Sequence, residues 1–334
     1  MKRPWLLPFV PLYAAGVAWR NMLADKGWEP VQRLASSVVS IGNLSTGGAG
    51  KTPLAIELAR LLSKRGFYVD VLSRGYGRRT SIAARVRMDG VAEEFGDEPL
   101  LIARNTRLPV FVGEERYAAG LLAEGYIPQE DAGRPCAHLL DDGFQHRRLA
   151  RTVDIVLLNR ADWHDVLLPA GNLREFHSAV RRAHVLVIPQ EEPELESELR
   201  AWGWMGPVWR LHRRMQVPSV EGPVAAFCGI ARPGQFFNGL RAGGLTVATQ
   251  TAFRDHFCYR VADCYGLIDS ARTTGAKAFV TTEKDLVRLG SLSGVLHSDF
   301  PLHAAQLQVS LEEESAALDW LVARIAPAVS AQPV

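Results

Sequence analysis

This chain of 334 residues is poor in cysteine, in lysine and in excess charge of either sign. Its four cysteines, Cys136, Cys228, Cys258 and Cys264, show neither C-x-x-C spacing nor a paired metal-ligand pattern. That excludes a disulfide scaffold and a structural zinc site, and reads as reduced thiols in a reducing compartment. Lysine and arginine together number 38 against 36 aspartates and glutamates, a net charge of +2. Such a balance excludes a general nucleic-acid binder held by phosphate electrostatics, so no nucleic-acid partner is expected. Only six of the basic residues are lysines, and the arginine excess reads as compositional bias. Also lacking are internal repeats, long low-complexity tracts and an unbroken apolar run of the roughly 20 residues that a spanning helix needs. With 47% hydrophobic and 22% charged residues, the remainder is an ordinary folded protein with length for about two domains.

At the N-terminus, Lys2 and Arg3 precede an apolar stretch from Trp5 to Trp19 with small residues at Gly16 and Ala18, superficially a secretory signal. Pro8 and Pro11 interrupt it, and the nucleotide loop that follows belongs with cytosolic nucleotide. From Pro11 onward Leu12, Ala15, Trp19, Met22 and Leu23 recur at helical spacing, and Trp5, Phe9, Tyr13 and Trp19 suit a headgroup boundary. Residues 1–35 carry a net charge of +3, which favours an anionic leaflet. Two readings stand open, a helix lying on a membrane surface and a helix packed on the protein's own core.

Further along, short apolar segments alternate with helical patterns. Ser37–Ile41, Phe67–Leu72, Val110–Val112, Ala137–Leu140, Ile155–Leu158 and Val185–Ile188 read as strands, several of them continuous rather than alternating, as in a parallel sheet buried on both faces. Pro53–Arg65 places Leu54, Leu58, Leu61 and Leu62 on one face and stops at Gly66. Strand, loop, helix and strand in that order begin a doubly wound fold. The Pro/Glu-rich stretch 189–207 breaks the rhythm, and Val208–Leu211 reads as a linking strand. A second series, with strands near Val224–Cys228, Thr246–Thr249, Ala278–Thr282 and Ala305–Val309 and a helix over Val261–Thr273, predicts a smaller α/β domain, with a frayed tail after Ala326. The expected class is therefore α/β, a P-loop NTPase-like, doubly wound, mostly parallel sheet with a second, smaller α/β domain.

The strongest chemical signal is GNLSTGGAGKTP over residues 42–53, set between the first strand and an amphipathic helix. Ser45, Thr46, Gly47, Gly48, Ala49 and Gly50 form a loop whose backbone N–H groups face an anion, Lys51 reaches phosphate oxygens and Thr52 holds Mg²⁺. Ser45 stands where the first glycine of G-x-x-x-x-G-K-[ST] is common. The second signal is LLDDGFQH over 139–146, which puts Asp141 and Asp142 at the carboxyl end of an apolar strand, where open α/β sheets bind ligands. Taken alone it is also compatible with an Asp-Asp-Gly turn. Three more stretches have plain structural readings. Asp97 in Gly96-Asp97-Glu98-Pro99 reads as a helix cap, His256 in Phe253-Arg254-Asp255-His256 as a surface loop residue, and Arg174/Glu175 in Gly171–Glu175 as a solvated pair. In Thr281–Asp285 the lysine abuts the aspartate, so guanine recognition is not supported, while an adenine contact or a structural turn stay open.

Together with Ser73–Arg78 (SRGYGR), these motifs run in order to about residue 289 and the sequence resembles the tetraacyldisaccharide 4′-kinase family. The resemblance implies a monotopic enzyme on the cytoplasmic face of the bacterial inner membrane, which uses ATP and Mg²⁺ to phosphorylate the 4′-hydroxyl of an acylated disaccharide 1-phosphate. Residues 1–30 then form a membrane-interface segment, 31–205 the nucleotide-binding and catalytic domain and 206–330 the smaller domain closing over the site, with no obligate protein partner. It implies Asp97 as the acid/base group with His256 as its partner, and Lys51, Thr52, Asp141 and Asp142 around phosphates and Mg²⁺. Arg78, Gln145, His146 and Arg174 fall to the lipid substrate, the two arginines near its 1-phosphate or at the closing interface. Competing readings are a switch or metallochaperone NTPase of the same loop class and a soluble small-molecule kinase.

Overall fold

The run Val38–Ile41 lacks polar alternation beyond Ser40, and it forms a strand buried on both faces, β1 (Ser37–Asn43). The computed structural model describes residues 3–48 and 50–326, so Ala49 and the tail after Ala326 lie outside the described residues. The other strands are β2 (Tyr68–Ser73), β3 (Ala84–Arg85), β4 (Val110–Val112), β5 (Cys136–Asp141), β6 (Val153–Leu157) and β7 (Val185–Pro189). They continue with β8 (Val208–Gln216), β9 (Val224–Cys228), β10 (Val247–Ala252), β11 (Ala278–Thr282) and β12 (Leu302–Leu311). The helices begin with α1 (Val10–Asp25), α2 (Lys51–Lys64), α3 (Ala92–Phe95), α4 (Asp97–Thr106), α5 (Arg116–Glu124) and α6 (Arg160–Trp163). After them come α7 (Pro193–Trp202), α8 (Pro233–Ala242), α9 (Val261–Thr274), α10 (Glu283–Leu289), α11 (Ser293–His297) and α12 (Glu314–Ile325).

All twelve strands belong to one sheet, in the order β10-β9-β11-β12-β8-β7-β6-β1-β5-β2-β4-β3. Two parallel blocks, β8 to β4 and β10 to β12, meet at one antiparallel seam in which Gln306 to Leu311 pair with Gln216 to Leu211. The expected linking strand is thus a full sheet member, and β12 runs longer than the expected Ala305–Val309 because this seam extends it. The two-residue β3, antiparallel to β4, has no pattern long enough to read. Leu54, Leu58, Leu61 and Leu62 of α2 are all buried, as the spacing predicts, with Val39 and Ile41 in the same core. Leu318, Leu321 and Ile325 of α12 join that core too, so the last helix packs back over the first block, where Ser37 Oγ donates to the Ile325 carbonyl at 3.0 Å.

At the N-terminus a 3₁₀ turn over Pro4–Phe9 leads into α1. Val10, Tyr13 and Ala14 lie against the core, and Val17 is buried. Leu12 and Trp19, read from spacing as one apolar stripe with Ala15, Met22 and Leu23, are instead 76% and 59% exposed. The inward face is fixed by polar anchors that periodicity does not see: the Tyr13 hydroxyl donates to the Arg174 carbonyl at 3.1 Å, and Asn21 Nδ2 to Glu175 Oε2 at 3.1 Å.

Gly42, the last residue but one of β1, lies directly against Phe144. A Cβ there would lie 2.4 Å from the Phe144 Cβ and 2.9 Å from its backbone nitrogen, so the two signature motifs pack backbone against backbone. Gly42→Ala is expected to destabilise the fold by about 1–3 kcal/mol through overpacking, read as a lowered urea midpoint with unchanged m-value.

Candidate active site

β1 lies between β5 and β6, and Ile41 pairs with Asp141 and Ile155. The carboxyl ends of the three strands therefore open into one crevice, the place where a doubly wound sheet binds its ligand. The loop leaving β1 is braced from two sides. Thr46 N–H donates to the Asn172 carbonyl at 2.8 Å and Arg174 N–H to the Leu44 carbonyl at 2.7 Å, so Gly171–Glu175 pairs along the loop as a short backbone splint. Ser45 is buried, donates through Oγ to Asp162 Oδ2 at 2.9 Å and accepts from Asn43 Nδ2 at 3.1 Å. A hydroxyl at this position is thus used, which explains its replacing the common glycine. Arg232 of the second block reaches Asp162 behind the loop, Nη2 to Oδ1 at 3.2 Å, and Arg213 of β8 comes close enough that a Cβ on Gly50 would sit 3.2 Å from its Nη2.

Lys51 donates to Asn43 Oδ1 at 2.9 Å and stands 3.3 Å from Asp142 Oδ1. Arg174 approaches the same carboxylate at 3.0 Å and Gln145 Oε1 at 3.4 Å, while Gln145 Nε2 donates to the Asn43 carbonyl at 2.8 Å. Burial works against the charged form of Asp142, but Lys51 and Arg174 outweigh it and hold the carboxyl below its usual range. Asp141 is the opposite case. Burial, with the charges of Glu98 and Asp142, pushes its carboxyl well up, and both its oxygens are buried without a hydrogen-bond partner. An orphaned carboxylate beside a second one, with the buried Thr52 opening α2, is a set of hard oxygen donors that fits a divalent cation such as Mg²⁺.

The third corner joins the two blocks. Asp97 sits in the first turn of α4, not at its cap, which is Gly96. A Cβ on Gly96 would lie 2.9 Å from the Gly75 Cα, so the SRGYGR loop and the α4 start touch backbone to backbone. That brings Tyr76 within 5.2 Å, ring to ring, of His256. His256 is no free surface residue: its Nδ1 lies 3.1 Å from Asp97 Oδ2, and Arg288 Nε lies 2.6 Å from the same oxygen. Burial would raise the Asp97 pKa, but the His256 hydrogen bond and the charges of Arg288, His256 and Lys284 hold it well below the usual carboxylate range. The His256 imidazole is raised, first by that hydrogen bond. The imidazolium–carboxylate pair is therefore present between the two values, failing below when Asp97 protonates and above when His256 loses its proton. His256 and Asp142 both hold left-handed backbone, φ 53° and 51°, strained conformations of the kind that gather at functional sites.

Of the remaining sequence candidates, Arg78 has both terminal guanidinium nitrogens buried without a partner, and burial lowers its pKa. Burial and the neighbouring Arg116, Arg151 and Arg148 push His146 down to about 4. The solvated-pair reading of Arg174/Glu175 is corrected: Glu175 is fully buried and paired with Arg182 at 2.8 Å. Thr281–Asp285 is a structural junction, in which Thr282 Oγ1 caps α10 by accepting from Asp285 N–H at 3.1 Å and Lys284 pairs with Glu98. Glu98, Arg288 and Asp162 were not foreseen. Lys284 and Arg288 do stand one helical turn apart in the sequence, the signal that was available. Among the described residues Asp70, Cys136 and His138 also converge, at the other end of the sheet, as an ion pair with His138 Nδ1 2.8 Å from Asp70 Oδ1.

A phosphate loop addressed by a lysine, an acidic pair with one member orphaned and a charge-tuned Asp–His pair, on a doubly wound sheet, define a P-loop α/β protein built for phosphate chemistry. The family model for tetraacyldisaccharide-1-P 4′-kinase matches residues 2–326, and this chain belongs to that family. It is 44% identical over 326 residues to the tetraacyldisaccharide 4′-kinase of Koribacter versatilis (strain Ellin345), covering 94% of this chain and 97% of that one. It is 36% identical to the tetraacyldisaccharide 4′-kinase of Aquifex aeolicus (strain VF5), covering 94% and 96%. The crystal structure of the "apo" form of LpxK from Aquifex aeolicus in complex with ATP superposes with a TM-score of 0.75 at 34% identity, covering 96% of this chain and 98% of that one.

Proposed function

We propose that this chain is an ATP-dependent lipid kinase, which transfers the γ-phosphoryl group to the 4′-hydroxyl of a tetraacyldisaccharide 1-phosphate and gives the 1,4′-bisphosphate used in lipid A biosynthesis. The observation that carries the reading is the meeting of Asp97 and His256, from the two ends of the chain, on the same site as Lys51 and the Asp141/Asp142 pair. A sugar hydroxyl is far too weak an acid to ionise near neutrality, so transfer needs a proton acceptor at the attacking oxygen. Asp97, kept ionised by its neighbours, takes that role, and His256 orients it. Lys51 and the loop N–H groups hold the phosphates. Thr52, Asp141 and Asp142 would hold Mg²⁺, which would offset negative charge on the nucleotide's phosphates. Arg78, Gln145, His146 and Arg174 line the acceptor side. Residues 31–205 bind nucleotide and 206–330 close over it. The test is transfer of label from γ-labelled ATP to detergent-dispersed acceptor; hydrolysis of ATP without labelled lipid would point to a switch ATPase instead.

Among the described residues no helix is long and apolar enough to cross a membrane. Residues 1–30 act as the membrane contact, on the cytoplasmic side where ATP is found. Supporting this, Trp5, Leu7, Phe9, Leu12 and Trp19 are all more than half exposed while the opposite face of α1 is packed, and an acceptor with four acyl chains stays in the bilayer. The double substitution Leu12→Glu/Trp19→Glu leaves the packed face intact. It is expected to lower co-sedimentation with anionic vesicles by roughly tenfold or more, given the burial free energy of two large apolar side chains. Undiminished sedimentation would remove the interfacial reading.

A further inference from the structure

Helix α10 carries two cations one turn apart, and each takes one of the two adjacent carboxylates that open α4. Lys284 Nζ pairs with Glu98 Oε1, and Arg288 pairs with Asp97. Arg288 Nε and Nη2 lie 2.6 and 2.5 Å from Asp97 Oδ2, the oxygen that His256 Nδ1 also meets at 3.1 Å. Both the guanidinium and the carboxylate are only 6% exposed. The guanidinium is held from behind as well, with Nη1 3.1 Å from Asp285 Oδ1 and 2.5 Å from the Gly229 carbonyl. Asp285 in turn accepts from the Tyr259 hydroxyl at 3.0 Å and Gly229 N–H at 3.0 Å. This is an aimed side chain whose supports all come from the second block, while its target lies in the first.

A carboxylate has about four lone-pair sites. Oδ2 is taken by His256 and Arg288, and Oδ1 accepts from Glu98 N–H at 2.9 Å, which leaves Oδ1 with the open site. Resting on Asp97 as the base, we infer that Arg288 is the positioning residue of this kinase: it pins Asp97 through Oδ2 against His256 and so presents Oδ1 to the acceptor hydroxyl. In the step itself the hydroxyl O–H bond breaks and its proton passes to Oδ1, the oxygen–phosphorus bond forms, and the bond from phosphorus to the ADP oxygen breaks with its electron pair leaving on ADP. The charges facing Asp97 are Arg288 and Lys284 from α10, Glu98 from its own helix, and His256 with Asp255 from the loop before α9. Removing Arg288 takes away a buried positive neighbour, so Asp97 becomes easier to protonate.

The experiment compares Arg288→Gln and Arg288→Lys with the parent enzyme in the lipid phosphorylation assay, across pH 5 to 8, and divides each variant's kcat by the parent's so that titration of the substrates' own phosphates cancels. For Arg288→Gln a fall of about tenfold near neutrality is expected, deepening by roughly threefold or more toward pH 5, with the KM for ATP unchanged. Arg288→Lys, keeping the charge but not the fork, is expected to lower kcat with a ratio that stays flat across pH. A flat ratio for Arg288→Gln, or a rise in the KM for ATP that accounts for the whole loss, overturns the proposal. Asp97→Asn is run alongside: full activity there sinks the base reading itself, whereas an inactive Asp97→Asn with a flat Arg288→Gln ratio sinks only the role of Arg288. Should Arg288→Gln not fold, the Arg288→Lys ratio decides, since unchanged kcat there contradicts positioning by the fork.

Discussion

Lys51→Ala is expected to cut lipid phosphorylation by roughly 10²–10³-fold or more, because on the proposed reading it removes the loop's lysine from the phosphates. Lys51 is only 11% exposed and is held between Asn43 Oδ1 and Asp142, so its ammonium is already placed rather than recruited from solvent. The loss should fall on turnover and not on the fold. Asp142 keeps Arg174 at 3.0 Å after the substitution, and the braces on Ser45 and Thr46 do not involve Lys51. A far-ultraviolet spectrum and melting profile close to the parent's, with labelled lipid reduced to the background of a no-acceptor control, is the expected outcome. Turnover within about tenfold of the parent would mean that phosphate charge is met elsewhere in the site.

Asp97→Asn is the second large effect, a loss of about 10²–10⁴-fold in kcat. The substitution keeps the shape of the side chain and its hydrogen bond from Glu98 N–H, but an amide cannot accept the hydroxyl proton. It also leaves the buried Arg288 facing a neutral partner, though Asp285 and the Gly229 carbonyl still hold that guanidinium. Some stability is therefore lost along with activity, and the kcat measurement needs a folded fraction determined in parallel. ATP binding, measured by the nucleotide's displacement of a fluorescent analogue, is expected to survive. Loss of ATP binding equal to the loss of turnover would move Asp97 from proton transfer to nucleotide binding.

Local pattern was enough to read the β1–loop–α2 unit, since its continuous apolar strand, glycine-rich turn and 3.6-residue periodicity all lie within thirty residues or so. It was enough as well for Asp141 and Asp142, whose place at a strand end is set by the apolar run before them. What escaped depends on partners distant in sequence. Asp162 carries no motif, and the Ser45 hydroxyl that it accepts from lies 117 residues earlier in the chain. Arg288 belongs to no motif, and Lys284 and Arg288 find their partners Glu98 and Asp97 on α4, far away in sequence. The inward face of α1 was missed because Asn21 and Tyr13, not the larger apolar residues, find buried partners. Pairing between β8 and β12 has no signature either, since a strand's sequence does not name its neighbour.

That seam also has a mechanical meaning. A ladder of paired residues resists sliding, because a one-residue slip would turn every side chain of a strand to the opposite face of the sheet. Leu211 and Leu311 are buried in the core at one end of the ladder, with Val309 beside them, whereas Arg214 and Gln308, paired further along it, are exposed. The six paired positions thereby fix how far along the seam each block sits against the other. Asp97 and His256, carried on opposite sides of that seam, are therefore set against each other by the strand register as well as by their own hydrogen bond.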